Sequence, residues 1–216
     1  MAIQVILASS SPRRKDLLEQ LGFAVKVIPA NVEEKRRDGE EPEMYVKRLA
    51  REKVLSVVQR VQATQTPQSE TARALRGAQR DEPARWVVGA DTVVVLDGHI
   101  FEKPADTHDA FEMLLRLEGR QHEVISGFCV YDLKKNKEGL QAVRTGVTFK
   151  AMSKTEIERY IGVGEGADKA GAYAVQGVGA YMVERLDGSY TNVVGLPLCQ
   201  VVEMMQEMGA NDLLPF

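Results

Sequence analysis

The chain is poor in the residues that build metal clusters and disulfide frameworks. Its 216 residues include two cysteines, three histidines and one tryptophan. Cys129 and Cys199, with His99, His108 and His122 scattered ahead of them, cannot assemble a zinc site. The cysteines read as two buried free thiols, since nothing in the sequence speaks for an oxidising compartment. The histidines read as surface or packing residues. No apolar run reaches membrane-spanning length, no basic segment opens the chain, and Ile3–Ala8 is too short for a signal core. A cytoplasmic protein with no membrane partner is the expectation. A net charge of -3 gives no global attraction to nucleic acid, so no nucleic-acid partner is expected and any phosphate binding must be local. Walker A, G-x-G-x-x-G and G-x-S-x-G patterns are missing too, which leaves the common ATPase, dinucleotide and α/β-hydrolase folds without support.

What is present is an ordinary globular composition, 44% hydrophobic and 27% charged, in a length suited to a single domain. Ile3–Ala8 reads as a buried strand. A helix follows from Pro12 to Gly22, with Ser11 at its N-cap, and Ala24–Ile28 reads as a second strand. Asn31–Glu41 is a charged loop. Pro42 opens a long helix to about Ala63 with the stripe Val46, Leu49, Ala50, Val54, Val57, Val58 and Val61. Residues 64–85 turn polar and read as a flexible surface insertion with a short helix near Glu70–Arg76.

Trp86–Leu96 and His99–Glu102 form a hairpin about Asp97-Gly98. A helix capped by Thr107 runs to Leu117. Strands near His122–Leu133 and Leu140–Ala151 follow, joined by the turn 134–139. Ser153 caps a helix to about Gly162. A glycine-rich stretch 164–179 leads to a strand over Ala180–Leu186, and Pro197–Met208 is a closing helix containing Met204, Met205 and Met208, which read as core. Hairpins among helices imply an α/β fold with a mixed twisted sheet and flanking helices.

Five constellations carry chemistry. Ser9-Ser10-Ser11-Pro12-Arg13-Arg14 follows a strand and opens a helix, where free N–H groups and arginine forks bind anions; an ordinary capped helix with solvated arginines would look the same. Lys53 falls inside the apolar stripe, so it either snorkels or points its cation at a phosphate or carboxylate. Asp91, with Thr92, interrupts an apolar strand and needs a cation or a metal. Near phosphate it could take a proton from water or hold Mg²⁺. Glu102-Lys103-Pro104 ends the hairpin. Asp168-Lys169-Ala170-Gly171-Ala172-Tyr173, leading to Gln176-Gly177, could let backbone approach a ligand and let an amide meet a base edge, or could be a plain surface loop. Together these residues indicate phosphate-ester or anhydride chemistry.

The motifs together resemble the Maf family, or septum-formation inhibitor proteins, a group of house-cleaning nucleotide pyrophosphatases. The matching stretches, in family order, are 8–14, Val32-Glu33-Glu34, Leu49-Ala50-Arg51-Glu52-Lys53, Gly89-Ala90-Asp91-Thr92-Val93, Glu102-Lys103-Pro104, Asp168–Tyr173 with Gln176-Gly177, and Val194-Gly195-Leu196-Pro197. The resemblance implies two lobes around a central cleft, within one domain over 1–216. It makes Asp91 the base or metal holder and Glu34, rather than Glu33, the second acid. It gives Lys53 a catalytic place and, with Arg13, Arg14 and Lys103, a contact to phosphate, sets Ser9 in the phosphate loop, and gives Lys169 a place in substrate binding. Arg13, Thr92 and Gln176 match the branch acting on dTTP and UTP, with CTP and modified pyrimidine nucleotides as further candidates. The cofactor implied is a divalent cation, Mg²⁺ first and Mn²⁺ or Co²⁺ as alternatives. A homodimer, and a partner in cell division, are implied as well. Ser126-Gly127 departs from the family, where many relatives have a threonine. Two other readings stand beside this one: a regulatory nucleotide-binding protein that inhibits septum formation, and a purine-directed pyrophosphatase of the inosine triphosphate type.

Overall fold

A computed structural model describes residues 3–65, 84–211 and 213. Most of the insertion expected at 64–85, including its short helix, lies outside the described residues. One seven-stranded mixed sheet organises the chain, in the order β2 (Ala24–Val27), β1 (Gln4–Leu7), β3 (Trp86–Leu96), β5 (Gln121–Asp132), β6 (Lys137–Phe149) and β7 (Val183–Asp187), with β4 (His99–Phe101) also paired to β3. β1 runs parallel to β2 and β3, and the other pairings are antiparallel.

Helix α2 (Pro42–Gln65) covers one face of the sheet. It opens with Pro42 and carries Glu43 in its first turn, a favourable start for both backbone and dipole. Two glycines set how closely it approaches. A Cβ on Gly127 would lie 2.4 Å from the Val46 carbonyl carbon, and one on Gly89 would lie 2.7 Å from Val54 Cγ2. α2 rests its backbone on β5 at Gly127, where only glycine leaves room.

The opposite face carries α1 (Pro12–Gln20) and α6 (Leu198–Glu207) at one end of the strands, and α3 (Thr107–Leu117) and α4 (Lys154–Val163) at the other. α4 starts with a full capping box, Ser153 accepting from the Glu156 N–H while the Glu156 carboxylate accepts from the Ser153 N–H. On both faces the apolar core is split near the middle of β3. Val87 and Val93 belong to different clusters on the α2 side, and Ala90 and Val94 to different clusters on the other. Asp91 and Thr92 sit at that seam.

Several local expectations change. Asp106, not Thr107, caps α3, accepting from the Asp109 N–H. The strand expected from Ala180 begins at Val183, after a 3₁₀ turn over Gly177–Met182. A five-residue helix, α5 (Tyr190–Val194), had no counterpart in the sequence reading. Cys129 is buried, and burial pushes its thiol up to about 12, whereas Cys199 is exposed, against expectation, with Sγ 3.4 Å from Glu203. A register of 3.6 brought Cys199 onto the outer side of α6 while Val201 and Met205 turned inward. Among the described residues no helix is long and apolar enough to cross a membrane.

Candidate active site

The cleft follows from strand order. One edge of β3 is paired with β5 throughout. The other is paired with β1 only as far as Val88 and with β4 only from Val94. Between them the edge is open, and the chain leaving β1 turns away into Ser9–Ser11 and α1. A cleft of about 520 Å³ opens there, at the carboxyl end of β1 and beside the middle of β3, past the parallel pairing, where α/β sheets commonly place ligands. Alternation along the strand sends Asp91 toward α2 and Thr92 toward the opposite face, and both line the cleft.

On the α2 side lies a compact ionic group. The Lys53 ammonium donates to Asp91 Oδ1 at 2.6 Å and stands 2.7 Å from Glu34 Oε1. Lys53 and Asp91 are 7% and 8% exposed, so each charge depends on the other for compensation. Of the two readings open for Lys53, the inward cation is the one found. Burial works against the charge of Glu34, but the Lys53 hydrogen bond and the fields of Lys53, Lys103 and Arg14 outweigh it and hold the carboxyl below its usual range. Tyr45 closes this side, donating to Glu102 Oε1 at 2.8 Å with its hydroxyl 3.4 Å from the Glu34 carbonyl. Burial, then the Glu102 hydrogen bond, raise the Tyr45 phenol above its ordinary value, so it stays a neutral donor.

On the other side Arg14 is a hub. Its Nε donates to the Gly195 carbonyl at 2.8 Å, Nη1 to Ser9 Oγ at 3.2 Å and Nη2 to Thr92 Oγ1 at 3.2 Å. Burial lowers its pKa while Asp91 and Glu34 oppose the shift. Thr92 shares a 2.8 Å bond with Ser126, which donates to the Asn192 carbonyl at 3.0 Å. Asn192 is fully buried, and its amide donates to the Val124 carbonyl and to Thr145 Oγ1. The segment missed in the sequence thus anchors one wall of the cleft.

Ser10, Ser11, Pro12 and Arg13 bring the start of α1 to the cleft. Ser11 occupies the N-cap position without a side-chain capping bond; its N–H is taken by Ser9 Oγ at 3.2 Å. The far wall carries Lys103, Asp168, Lys169 and Tyr173. Asp168 is paired with Lys169, whose hydrogen bond lowers its pKa, with Arg13 adding to the effect. Tyr173 bonds to His122 Nε2 at 2.9 Å behind the wall. Glu165 accepts from the Val178 and Gly179 N–H groups and from the Tyr160 hydroxyl, which in turn takes the N–H of the lining residue Ala174. Of the ten residues singled out in the sequence, nine line the cleft: Ser9, Arg13, Arg14, Glu34, Lys53, Asp91, Thr92, Lys103 and Lys169. Gln176 does not; the lining stops at Val175.

Among the described residues no three His, Cys, Asp or Glu side chains group closely enough to hold a metal ion. Asp91 and Glu34 offer two hard oxygen donors sharing one cation. That set fits a Mg²⁺-type ion, which commonly takes one or two carboxylates and draws its other ligands from phosphates and water.

A family profile described as Maf-like protein matches residues 4–208. The chain belongs to the Maf family. Among its relatives is a dTTP/UTP pyrophosphatase of Geobacter sp. (strain M21), 44% identical over 95% of this chain and 96% of the relative. Another dTTP/UTP pyrophosphatase, from Geotalea uraniireducens (strain Rf4), is 45% identical over 95% of each. A solved dITP/XTP pyrophosphatase from Mycobacterium abscessus aligns over 99% of this chain and 98% of its own at 12% identity and a TM-score of 0.40, too loose a likeness to bear on the site. In Maf terms, the cleft gathers residues from every matching stretch of the sequence.

Proposed function

We propose that the chain hydrolyses dTTP and UTP to the monophosphate and pyrophosphate in this cleft. The observation that carries the reading is the buried Lys53 ammonium bonded to both Asp91 and Glu34 at the open edge of β3, facing a wall of cations. Arg13, Lys103 and Lys169, with the first turn of α1, receive the phosphate chain, because charge and free N–H groups converge there. Ser9 orients the loop that carries them. Asp91 takes the proton of the water attacking the α-phosphorus. Asp91 and Glu34 would hold a divalent ion, Mg²⁺ by default with Mn²⁺ or Co²⁺ as alternatives, which would supply charge to offset the phosphates and make the attacking water more acidic. Arg14, with its Nε and both Nη atoms bonded to protein acceptors, holds the walls in register. The choice of pyrimidine rests on the names of the relatives rather than on Gln176, which stands outside the lining.

The test is incubation with dTTP, UTP, CTP, 7-methyl-GTP and ITP, with and without Mg²⁺, resolving monophosphate, diphosphate, pyrophosphate and phosphate. Metal-dependent dTMP or UMP with pyrophosphate is expected. Preference for a purine nucleotide would overturn the substrate, and no turnover of any would turn the case toward a regulatory binding protein.

A further inference from the structure

Among the described residues Lys53 is the one buried lysine. Its ammonium stands between the two carboxylates that the reading above gives to a divalent ion, 2.6 Å from Asp91 Oδ1 and 2.7 Å from Glu34 Oε1. Arg14 and Lys103 also act on Glu34. With Glu102, held by Tyr45 on the same side of the cleft, three carboxylates face three cations and leave no net negative charge to draw a free divalent ion. An ion entering between those oxygens would meet the ammonium at close range, where like charges repel strongly in a sheltered site. Moving Lys53 aside without a new anionic partner would leave a buried cation uncompensated. A nucleoside triphosphate removes both obstacles, because its phosphates bring negative charge, further oxygen ligands and an anion for the displaced ammonium.

We propose that Lys53 is a placeholder cation that keeps the divalent ion off the nucleotide-free protein, so that ion and triphosphate bind as a strongly coupled pair. The proposal rests on the pyrophosphatase reading. It is tested with Mn²⁺, followed by the loss of its free-ion electron paramagnetic resonance signal, with and without the uncleavable α,β-imido-dUTP, the Mn²⁺ held by the analogue alone being measured in a protein-free titration and subtracted. In the wild-type protein the analogue should tighten Mn²⁺ binding by at least about tenfold, within the usual range of coupling between ligands. By reciprocity, Mn²⁺ should tighten the analogue by the same factor in calorimetry. Lys53→Met, which keeps most of the stem, should bind Mn²⁺ without nucleotide about tenfold more tightly than wild type, and adding Asp91→Asn should remove that gain, on the same scale of coupling. Equal Mn²⁺ affinity with and without bound analogue overturns the placeholder and leaves the pyrophosphatase reading standing. So does a folded Lys53→Met protein that binds Mn²⁺ no better than wild type. If Lys53→Met does not fold, the two wild-type titrations decide. Failure of the analogue to bind at all, even with Mn²⁺, overturns both the reading and the coupling.

Discussion

Asp91 and Thr92 are neighbours on one strand, yet they belong to two different kinds of polar structure. Toward α2, Asp91 joins an ionic group of three side chains held by one ammonium. Toward the other face, Thr92 joins a web of hydroxyls and backbone carbonyls gathered by Arg14. The first has few bonds, each sensitive to charge, and can rearrange when a charged ligand arrives. The second spreads its bonds over Ser9, Ser126, Asn192 and Gly195, none of them ionised, and fixes the geometry of three chain segments. One strand thus separates the reactive side of the cleft from its frame.

The largest effect should come from removing charge on the reactive side. Asp91→Asn should keep its circular dichroism spectrum yet lose about 10²- to 10⁴-fold in turnover of dTTP, the range for a proton-transfer group. Turnover like the wild type would remove Asp91 from its role. Acid should then separate the two sides. Glu34 is held below the usual carboxylate range, so its contribution is full above that range and is lost as pH falls from there toward the lowered value. His122, 2% exposed behind Tyr173, is lowered by burial from 6.5 to about 4. Between those values the unfolded state binds more protons, so stability is full above about 6.5 and falls toward pH 4, by about 3 kcal/mol from this ring. Urea denaturation of wild type and His122→Gln should show the variant losing about 3 kcal/mol less stability across that window.

Gly127→Ala presses a methyl on the backbone of α2 and should cost about 1–3 kcal/mol. Because α2 carries Lys53, turnover should fall with it, while the Arg14 side is spared. Arg14→Lys gives up the fork and should cost about 1–2 kcal/mol in stability. It should raise KM for dTTP more than it lowers kcat, as expected of a frame. A pure kcat loss would place Arg14 among the reacting groups instead.

The reactive side was legible in the sequence because it breaks a pattern. An acid inside Trp86–Leu96 and a lysine inside the α2 stripe are conspicuous by their cost, and they turned out to be each other's partners. Of the frame, Ser9, Arg14 and Thr92 stood out by their place in the motifs, but their anchor was hidden because it conforms: Asn192 is an unremarkable type in a sequence, and α5 is too short to show a helical period. The partnership of Tyr45 with Glu102 and that of His122 with Tyr173 join positions 57 and 51 residues apart, which no local spacing reveals. The need for glycine at 127 shows only once the α2 backbone lies against it. Thr107 and Asp106 are both good capping residues, so composition alone could not choose between them. Gln176 lies next to the lining in sequence but outside it in space.

The open stretch of β3 has a consequence for solvent access. Because the Val88 carbonyl accepts from the Ala8 N–H, strand alternation turns the backbone groups of Ala90 and Thr92 toward the same edge, where neither β1 nor β4 reaches. At Thr92, which lines the cleft, the central strand of a buried sheet therefore carries an amide that trades its hydrogen from the cleft rather than by unfolding. Deuterium uptake at this amide would report an occupied cleft directly, while Gly89, Asp91 and Val93, turned toward β5, stay silent.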